Sequence, residues 1–182
     1  MKILITVPHS KCRPSEIQEQ EKGLPTACDN FVMLYANLLK ETLTPKHIIT
    51  LEVCEHYRTQ VDCNRFPNDM SIFKDTSKFW HKRVEEEIER ADIVIDVHTC
   101  FPRCLGNSDP TSQEPYVLLL DNKSKEYFKN LSVTNRNASH VNFVLKTAKN
   151  KGKPAILIEF TGRDVEKDRQ LIDSLKNLLN SK

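Results

Sequence analysis

The sequence predicts one α/β domain built on a mostly parallel sheet covered by helices on both faces, a three-layer α/β/α arrangement. Three observations carry that prediction. Short runs rich in Ile, Val and Leu alternate along the chain with segments whose apolar residues recur every three or four positions. The central run, Asp-Ile-Val-Ile-Asp-Val-His-Thr-Cys at 92–100, begins without polar alternation, as a strand buried on both faces does. No repeat, low-complexity tract or linker divides the 182 residues, so residues 1–182 are read as a single domain long enough to bury a core.

Taken in order, residues 2–7 form an apolar strand that Pro8 ends. A polar loop at 9–25 follows. Phe31, Leu34, Tyr35, Leu38 and Leu39 then recur at helical spacing, with Pro25 suited to a first turn. Residues 47–53 are a second strand, closed off from the helix by Pro45, and 54–69 a second polar loop. Trp80, Val84, Ile88 and Ala91 lie four, four and three apart, predicting an amphipathic helix over 76–90 with Glu85, Glu86 and Glu87 on its wet side. The central strand comes next, then a loop at 101–115. A strand at 116–120 and a short helix at 123–131 follow. Val141, Val144, Leu145 and Ala148 mark another helix, stopped by Gly152. Residues 154–160 are the last strand and 165–179 the last helix, burying Ile172, Leu175 and Leu179.

Composition excludes several classes of function. The apolar and charged fractions, 38% and 29%, are those of an ordinary globule, and a net charge of +2 gives no general pull toward nucleic acid or anionic membrane. No apolar run approaches the roughly 20 residues that span a bilayer. The first residues read as a strand rather than a signal peptide, so the expectation is a cytoplasmic protein with neither nucleic-acid nor membrane partner. The sequence does not specify an oligomeric state. Six cysteines in such a chain are expected to be reduced thiols, and with no Cys-x-x-Cys pair a structural zinc site is not expected.

The residues just past the strands are unlike the strands themselves. His9 follows the first strand. Arg58 and the run Asp62-Cys63-Asn64-Arg65 follow the second. His98 ends the central strand and Glu159 the last. In an open parallel sheet those positions share one edge, where ligands bind. Two imidazoles, a carboxylate and arginines gathered there predict metal-assisted hydrolysis. Catalytic zinc takes imidazole nitrogens and a carboxylate, leaving a position for water, whose acidity it raises. A further carboxylate can move the proton to a leaving amine, and an arginine fork can grip a substrate carboxylate. Asp96, two residues before His98, faces the same side of a strand and can orient the imidazole. The other histidines have ordinary readings: His47 heads a strand, His81 sits beside Trp80 on a helix, His140 precedes a helix, and His56 borders the loop of Arg58.

These residues carry a resemblance. Pro8-His9-Ser10, Asp29 ahead of a helix with Val32, Leu34 and Tyr35, Arg58 six residues before Asn64-Arg65, and Asp96-Val97-His98-Thr99 resemble the motif series of the N-formylglutamate amidohydrolase family. More distantly, Asp-x-Asn-Arg-x-Phe, Asp-x-His-Thr and a late Glu on a strand are similar to the zinc carboxypeptidases and aspartoacylases. The likeness spans about residues 5–163 in a chain shorter than such enzymes usually are. It implies a zinc-carboxypeptidase-like fold and a zinc cofactor. It also implies His9 and His98 as metal ligands, Arg58 as the group that polarises the scissile carbonyl, Asn64 and Arg65 as the holders of a substrate carboxylate, and Glu159 as general base. The third ligand departs from the pattern, because Cys12 stands where a His-x-x-Glu motif would put its carboxylate. Asp29 or Cys12 then completes the set, Asp29 being the favoured choice because His, His and carboxylate is the commoner combination. Cys28, Cys63, Cys100 and Cys104 lie next to these motifs without an assigned role.

The expected activity is hydrolysis of an amide in an N-acyl amino acid or short peptide with a free carboxylate. A non-catalytic α/β protein that binds carboxylates is the alternative. A thiol-dependent enzyme using Cys12 or Cys100 is a third reading, for which no nucleophile–base spacing exists in the sequence.

Overall fold

In the computed structural model of the chain, the residues described are 1–11, 29, 31–57, 62–65, 74–99, 114–131, 134–136 and 142–182. Six strands and five helices are found among them: β1 Lys2–Val7, α1 Val32–Leu43, β2 Ile48–Val53, α2 Lys74–Arg90, β3 Ile93–Thr99, β4 Tyr116–Leu118, α3 Asn122–Tyr127, β5 Thr134–Arg136, α4 Phe143–Asn150, β6 Ala155–Phe160 and α5 Val165–Asn180. The strands form one sheet in the order β2-β1-β3-β6-β4-β5. Neighbours are parallel except β4, which runs antiparallel to β6. The mixed, mostly parallel sheet is the one expected.

Strand alternation divides the core in two. Ile3, Ile5 and Val7 of β1, Ile93, Ile95 and Val97 of β3, and Ile156, Ile158 and Phe160 of β6 pack under α1 and α5. Leu4, Val94, Ala155 and Leu157 point the other way, to α2 and α4, where they meet Trp80, Val84, Ile88, Phe143, Val144 and Ala148. Truncating one of the fully buried isoleucines, such as Ile95 or Ile156, would cost about 2–5 kcal/mol.

The turn chemistry agrees with the element ends. Asp121 caps α3 by accepting from Ser124 N at 2.7 Å, and Asn142 caps α4 by accepting from Leu145 N at 2.7 Å. Gly152, with φ 65°, takes the left-handed conformation just after α4, as the sequence predicts for a helix stop. The first strand matches its expected bounds, and most other ends move by one or two residues. Three elements fall further from expectation. α1 begins at Val32, seven residues after the Pro25 expected in its first turn, the helix expected at 123–131 ends at Tyr127, and β5 is an unpredicted strand, since Thr-Asn-Arg has no apolar pattern to announce it.

The strand order positions the site. From β1 the chain passes outward to β2, then returns to place β3 on the other side of β1. The carboxyl ends of β1 and β3 therefore border the point where the winding direction changes, which is where an open α/β sheet has its crevice. Those two ends carry His9 and His98. Among the described residues no helix is long and apolar enough to cross a membrane.

One expectation about cysteines is overturned. Cys54 and Cys63 are joined in a disulfide, with Cα atoms 6.5 Å apart, and no described cysteine is free. Reduced thiols were expected from the cytoplasmic reading of the sequence. The pairing arises because the end of β2 and the loop at 62–65 meet under α2, a closure that local sequence does not encode.

Candidate metal centre

His9 sits in the turn after β1, and backbone bonds hold that turn from two sides. Cys54 N donates to Val7 O at 2.9 Å, and Ser10 Oγ donates to Cys54 O at 2.8 Å. Asp29 N donates to His9 O at 3.2 Å, which brings Asp29 alongside the histidine. From Asp29 the chain swings into α1 through Phe31, whose φ of 63° is uncommon for a bulky side chain. His98 is delivered by β3, on the α2/α4 face, in register with Glu159 on β6.

Asp29 joins the two histidines. Its Oδ2 lies 2.7 Å from His98 Nδ1 and 3.4 Å from His9 Nδ1. The imidazole centroids are 5.2 Å apart and the rings cross at 72°. All three side chains are buried, and one ligand atom from each lies within 4.8 Å of the others.

Each imidazole also has an outer carboxylate. His9 Nε2 donates to Asp62 Oδ1 at 2.7 Å, and His98 Nε2 donates to Asp96 Oδ2 at 3.1 Å. Asp96 is fully buried and is fixed in turn by Thr6 Oγ1, which donates to its Oδ1 at 2.7 Å, and by Asn142 Nδ2, which donates to its Oδ2 at 2.7 Å. Asp62 Oδ1 accepts a second bond from Asn64 N at 3.1 Å. Both rings thus present Nδ1 to the centre and commit Nε2–H to a carboxylate, the arrangement that orients a metal-binding histidine and raises its basicity.

Electrostatics follow from the charge count. Two buried carboxylates, Asp29 and Asp96, crowd the ring of His98, an arrangement that favours a proton on it. Burial opposes a charged His98, but Asp96 and Asp29 outweigh it and hold the imidazole well above its ordinary value of 6.5. Burial likewise opposes a charged Asp29, yet the pull of His9 and His98 keeps its carboxyl well below the usual carboxylate range. A divalent cation would relieve the same charge. Two imidazole nitrogens and one carboxylate oxygen are the donor set of many catalytic zinc sites, where ligand atoms stand about 3.3 Å apart around bonds of about 2.0–2.2 Å. The residues present supply that donor set, with their ligand atoms within 4.8 Å of one another.

The structure brings His9, Asp29 and His98 together, with Asp96 behind His98. Glu159 is half-buried beside them on the neighbouring strand, its register partners being His98 on one side and Tyr116 on the other. Asn64 is buried and turned inward, its Nδ2 3.0 Å from His98 Nε2 and 3.4 Å from Asp96 Oδ2. Arg65 is exposed, with Nε 3.6 Å from Asp62 Oδ2. Arg58, Cys12, Cys28, Cys100, Cys104 and His140 lie outside the described residues. Of the other histidines, His47 Nε2 is 3.1 Å from Asn180 Oδ1, and His81 Nε2 donates to Cys63 O at 2.8 Å. Burial lowers the pKa of His81, which suits a neutral ring with one donor nitrogen used.

Two polar partners escaped the sequence reading. Asp62 stood in the Asp-x-Asn-Arg run without a role, and its pattern, an Asp two residues before an Asn it can bond, was the available signal. Asn142, a helix cap that also holds Asp96, left none.

No family model matches the chain, and no curated protein matches it. Several solved structures do. Gene product Atu2144 from Agrobacterium tumefaciens is 19% identical, with a TM-score of 0.63 over 99% of this chain and 88% of that one. The catalytic domain of CwlV, an N-acetylmuramoyl-L-alanine amidase from Bacillus (Paenibacillus) polymyxa var. colistinus, is 13% identical, with a TM-score of 0.55 over 100% of this chain and 97% of that one. Succinylglutamate desuccinylase from Chromobacterium violaceum is 13% identical, with a TM-score of 0.55 over 98% of this chain and 60% of that one. At these identities the likeness is one of fold: the chain shares its α/β architecture with an amidase domain and a desuccinylase.

Proposed function

We propose that the protein is a zinc-dependent hydrolase that cleaves an amide bond in an N-acyl amino acid or short peptide bearing a free carboxylate. One observation carries the reading: the buried His9–Asp29–His98 group, with a separate carboxylate behind each imidazole. The fold shared with an amidase domain and a desuccinylase supports it.

In this reading His9 and His98, through Nδ1, and Asp29 hold the ion. Asp29 is preferred to Cys12 because it already bridges the two rings. When bound, zinc supplies a Lewis acid for the scissile carbonyl and acidifies water. Glu159 takes the proton from the attacking water. As the oxygen–carbon bond forms and the carbon–nitrogen bond breaks, that proton passes to the departing amine. Asp62 and Asp96 keep the imidazoles in the tautomer that leaves Nδ1 free for the metal. Arg58 stabilises the oxyanion, and Arg65 with Asn64 anchors the substrate carboxylate. Asn64 engages that carboxylate only by giving up its place against His98 and Asp96.

The test joins metal analysis after reconstitution with a panel of N-acyl amino acids and short peptides. Stoichiometric zinc and turnover abolished by Glu159→Gln are expected. A protein that takes up no metal overturns the reading. Zinc uptake with ligand binding and no turnover supports instead a carboxylate-binding protein, the reading that the inward turn of Asn64 favours. A cytoplasmic location is part of the proposal, and the Cys54–Cys63 bridge challenges it, because such bridges persist mainly in oxidising compartments. Quenching thiols in intact cells before counting them decides this point.

A further inference from the structure

The disulfide has a place in the site that packing alone does not explain. Cys63 is flanked in sequence by Asp62, which accepts from His9 Nε2 at 2.7 Å, and by Asn64, whose Nδ2 donates at 3.4 Å to Asp96 Oδ2, the oxygen that accepts from His98 Nε2. One residue therefore stands between the outer carboxylate of His9 and a donor to that of His98. It is held at its sulfur by Cys54 and at its carbonyl by His81 Nε2 at 2.8 Å. Phe143 N donates to Asn64 O at 2.9 Å, tying the same loop to the start of α4.

The other half of the bridge is equally placed. Cys54 donates through N to Val7 O and accepts at O from Ser10 Oγ, so its backbone grips the turn that presents His9. Both cysteines are fully buried, in the cluster that contains Leu4, Trp80 and Phe143. The covalent link runs from the end of β2, which backs the turn that presents His9, to the loop that orients His9 through Asp62.

We propose that the Cys54–Cys63 bridge is a positioning element of the metal centre. Closed, it holds Asp62 against His9 and Asn64 against Asp96. Opened, it leaves that loop on a few hydrogen bonds, and the rings lose their fixed orientation toward a metal. Outer partners of metal-binding histidines are typically worth 10–100-fold in metal affinity, and this bridge holds one of them, Asp62, directly and the other, Asp96, through Asn64. The inference rests on the metal reading above.

The experiment measures zinc affinity of the full chain by chelator competition, for the oxidised protein, for C54A/C63A, and for wild type reduced by a water-soluble phosphine that is removed before titration. In that reduction phosphorus takes an oxygen atom from water, while the two sulfurs gain the electron pair and two protons. Circular dichroism at the titration temperature checks that each form is folded. Should the alanine pair unfold, the reduced wild type, which keeps both sulfurs in the core, supplies the comparison. Zinc affinity about 10–100-fold weaker in the opened forms is expected. Asp62→Asn should weaken the oxidised protein similarly and add little to C54A/C63A, because bridge and carboxylate act through the same contact. Cobalt spectra without a thiolate band show that the freed sulfurs have not become ligands. Equal zinc affinity in folded open and closed forms, or two free thiols in the protein as isolated, overturns the proposal and leaves the metal site standing. Failure of the oxidised protein to bind zinc overturns the metal reading itself.

Discussion

Asp29 and Asp168 are both buried carboxylates close to the carboxyl ends of the strands, at 5% and 0% exposure, and their partners differ in kind. Asp168, in the first turn of α5, accepts from Thr161 N at 2.8 Å, Thr161 Oγ1 at 2.9 Å and Gly162 N at 3.2 Å. The phenol of Tyr35 also bonds to it, and burial together with that carboxylate pushes the phenol's pKa up. Every one of these donors is an amide or a hydroxyl that keeps its proton near neutrality. Asp29 has two imidazoles, which can give up protons to a cation. The same side chain is thus an anchor in one place and a candidate ligand in the other. What its neighbours can release decides which.

Four measurements sharpen that comparison, in order of expected size. Asp168→Ala strands buried amide and hydroxyl donors and should destabilise the fold by about 3–5 kcal/mol. Chemical denaturation reads this, and zinc affinity of the folded protein should not change. Asp29→Asn should do the reverse, weakening zinc binding by at least roughly 100-fold, more than the loss of an outer partner costs. Asp62→Asn, one shell further out, should weaken zinc by about 10–100-fold with the metal still between the same ligands.

The last effect is on pH dependence. His98 has its pKa raised, so its contribution to metal-free stability is fully present below pH 6.5 and is lost as pH rises through the raised value. Asp29 has its pKa lowered, so its contribution is present above pH 3.8 and is lost as pH falls toward the depressed value. Zinc must displace the His98 proton, so its affinity should climb as pH rises from 6.5. The gap in Tm between zinc-loaded and metal-free protein should widen over that range. Asp168→Ala should preserve this trend, and Asp29→Asn should flatten it.

The fold was legible because its signals are local. Uninterrupted apolar runs marked β1, β3 and β6, and helical spacing marked α1, α2, α4 and α5, since burial on one stripe or two faces repeats with a fixed period. His9 and His98 were legible for a related reason: a polar residue where a buried strand ends has no packing use. Asp29 was reached only through the resemblance, because nothing in its own surroundings distinguishes it. The contacts that complete the site are of another kind. Asp62 meets His9 across 53 residues, Asn142 meets Asp96 across 46, and Cys54 pairs with Cys63 only because two loops converge beneath α2. No period encodes such closures. They follow once the sheet order has placed β1 beside β3.

The most direct test of the central claim is a structure of the zinc-reconstituted protein, with the metal located by its anomalous scattering. The account predicts one ion bound by Nδ1 of His9, Nδ1 of His98 and a carboxylate oxygen of Asp29, at distances of about 2.0–2.2 Å. An ion held by the Cys12 sulfur in place of Asp29, or no ion between the two histidines, would contradict it.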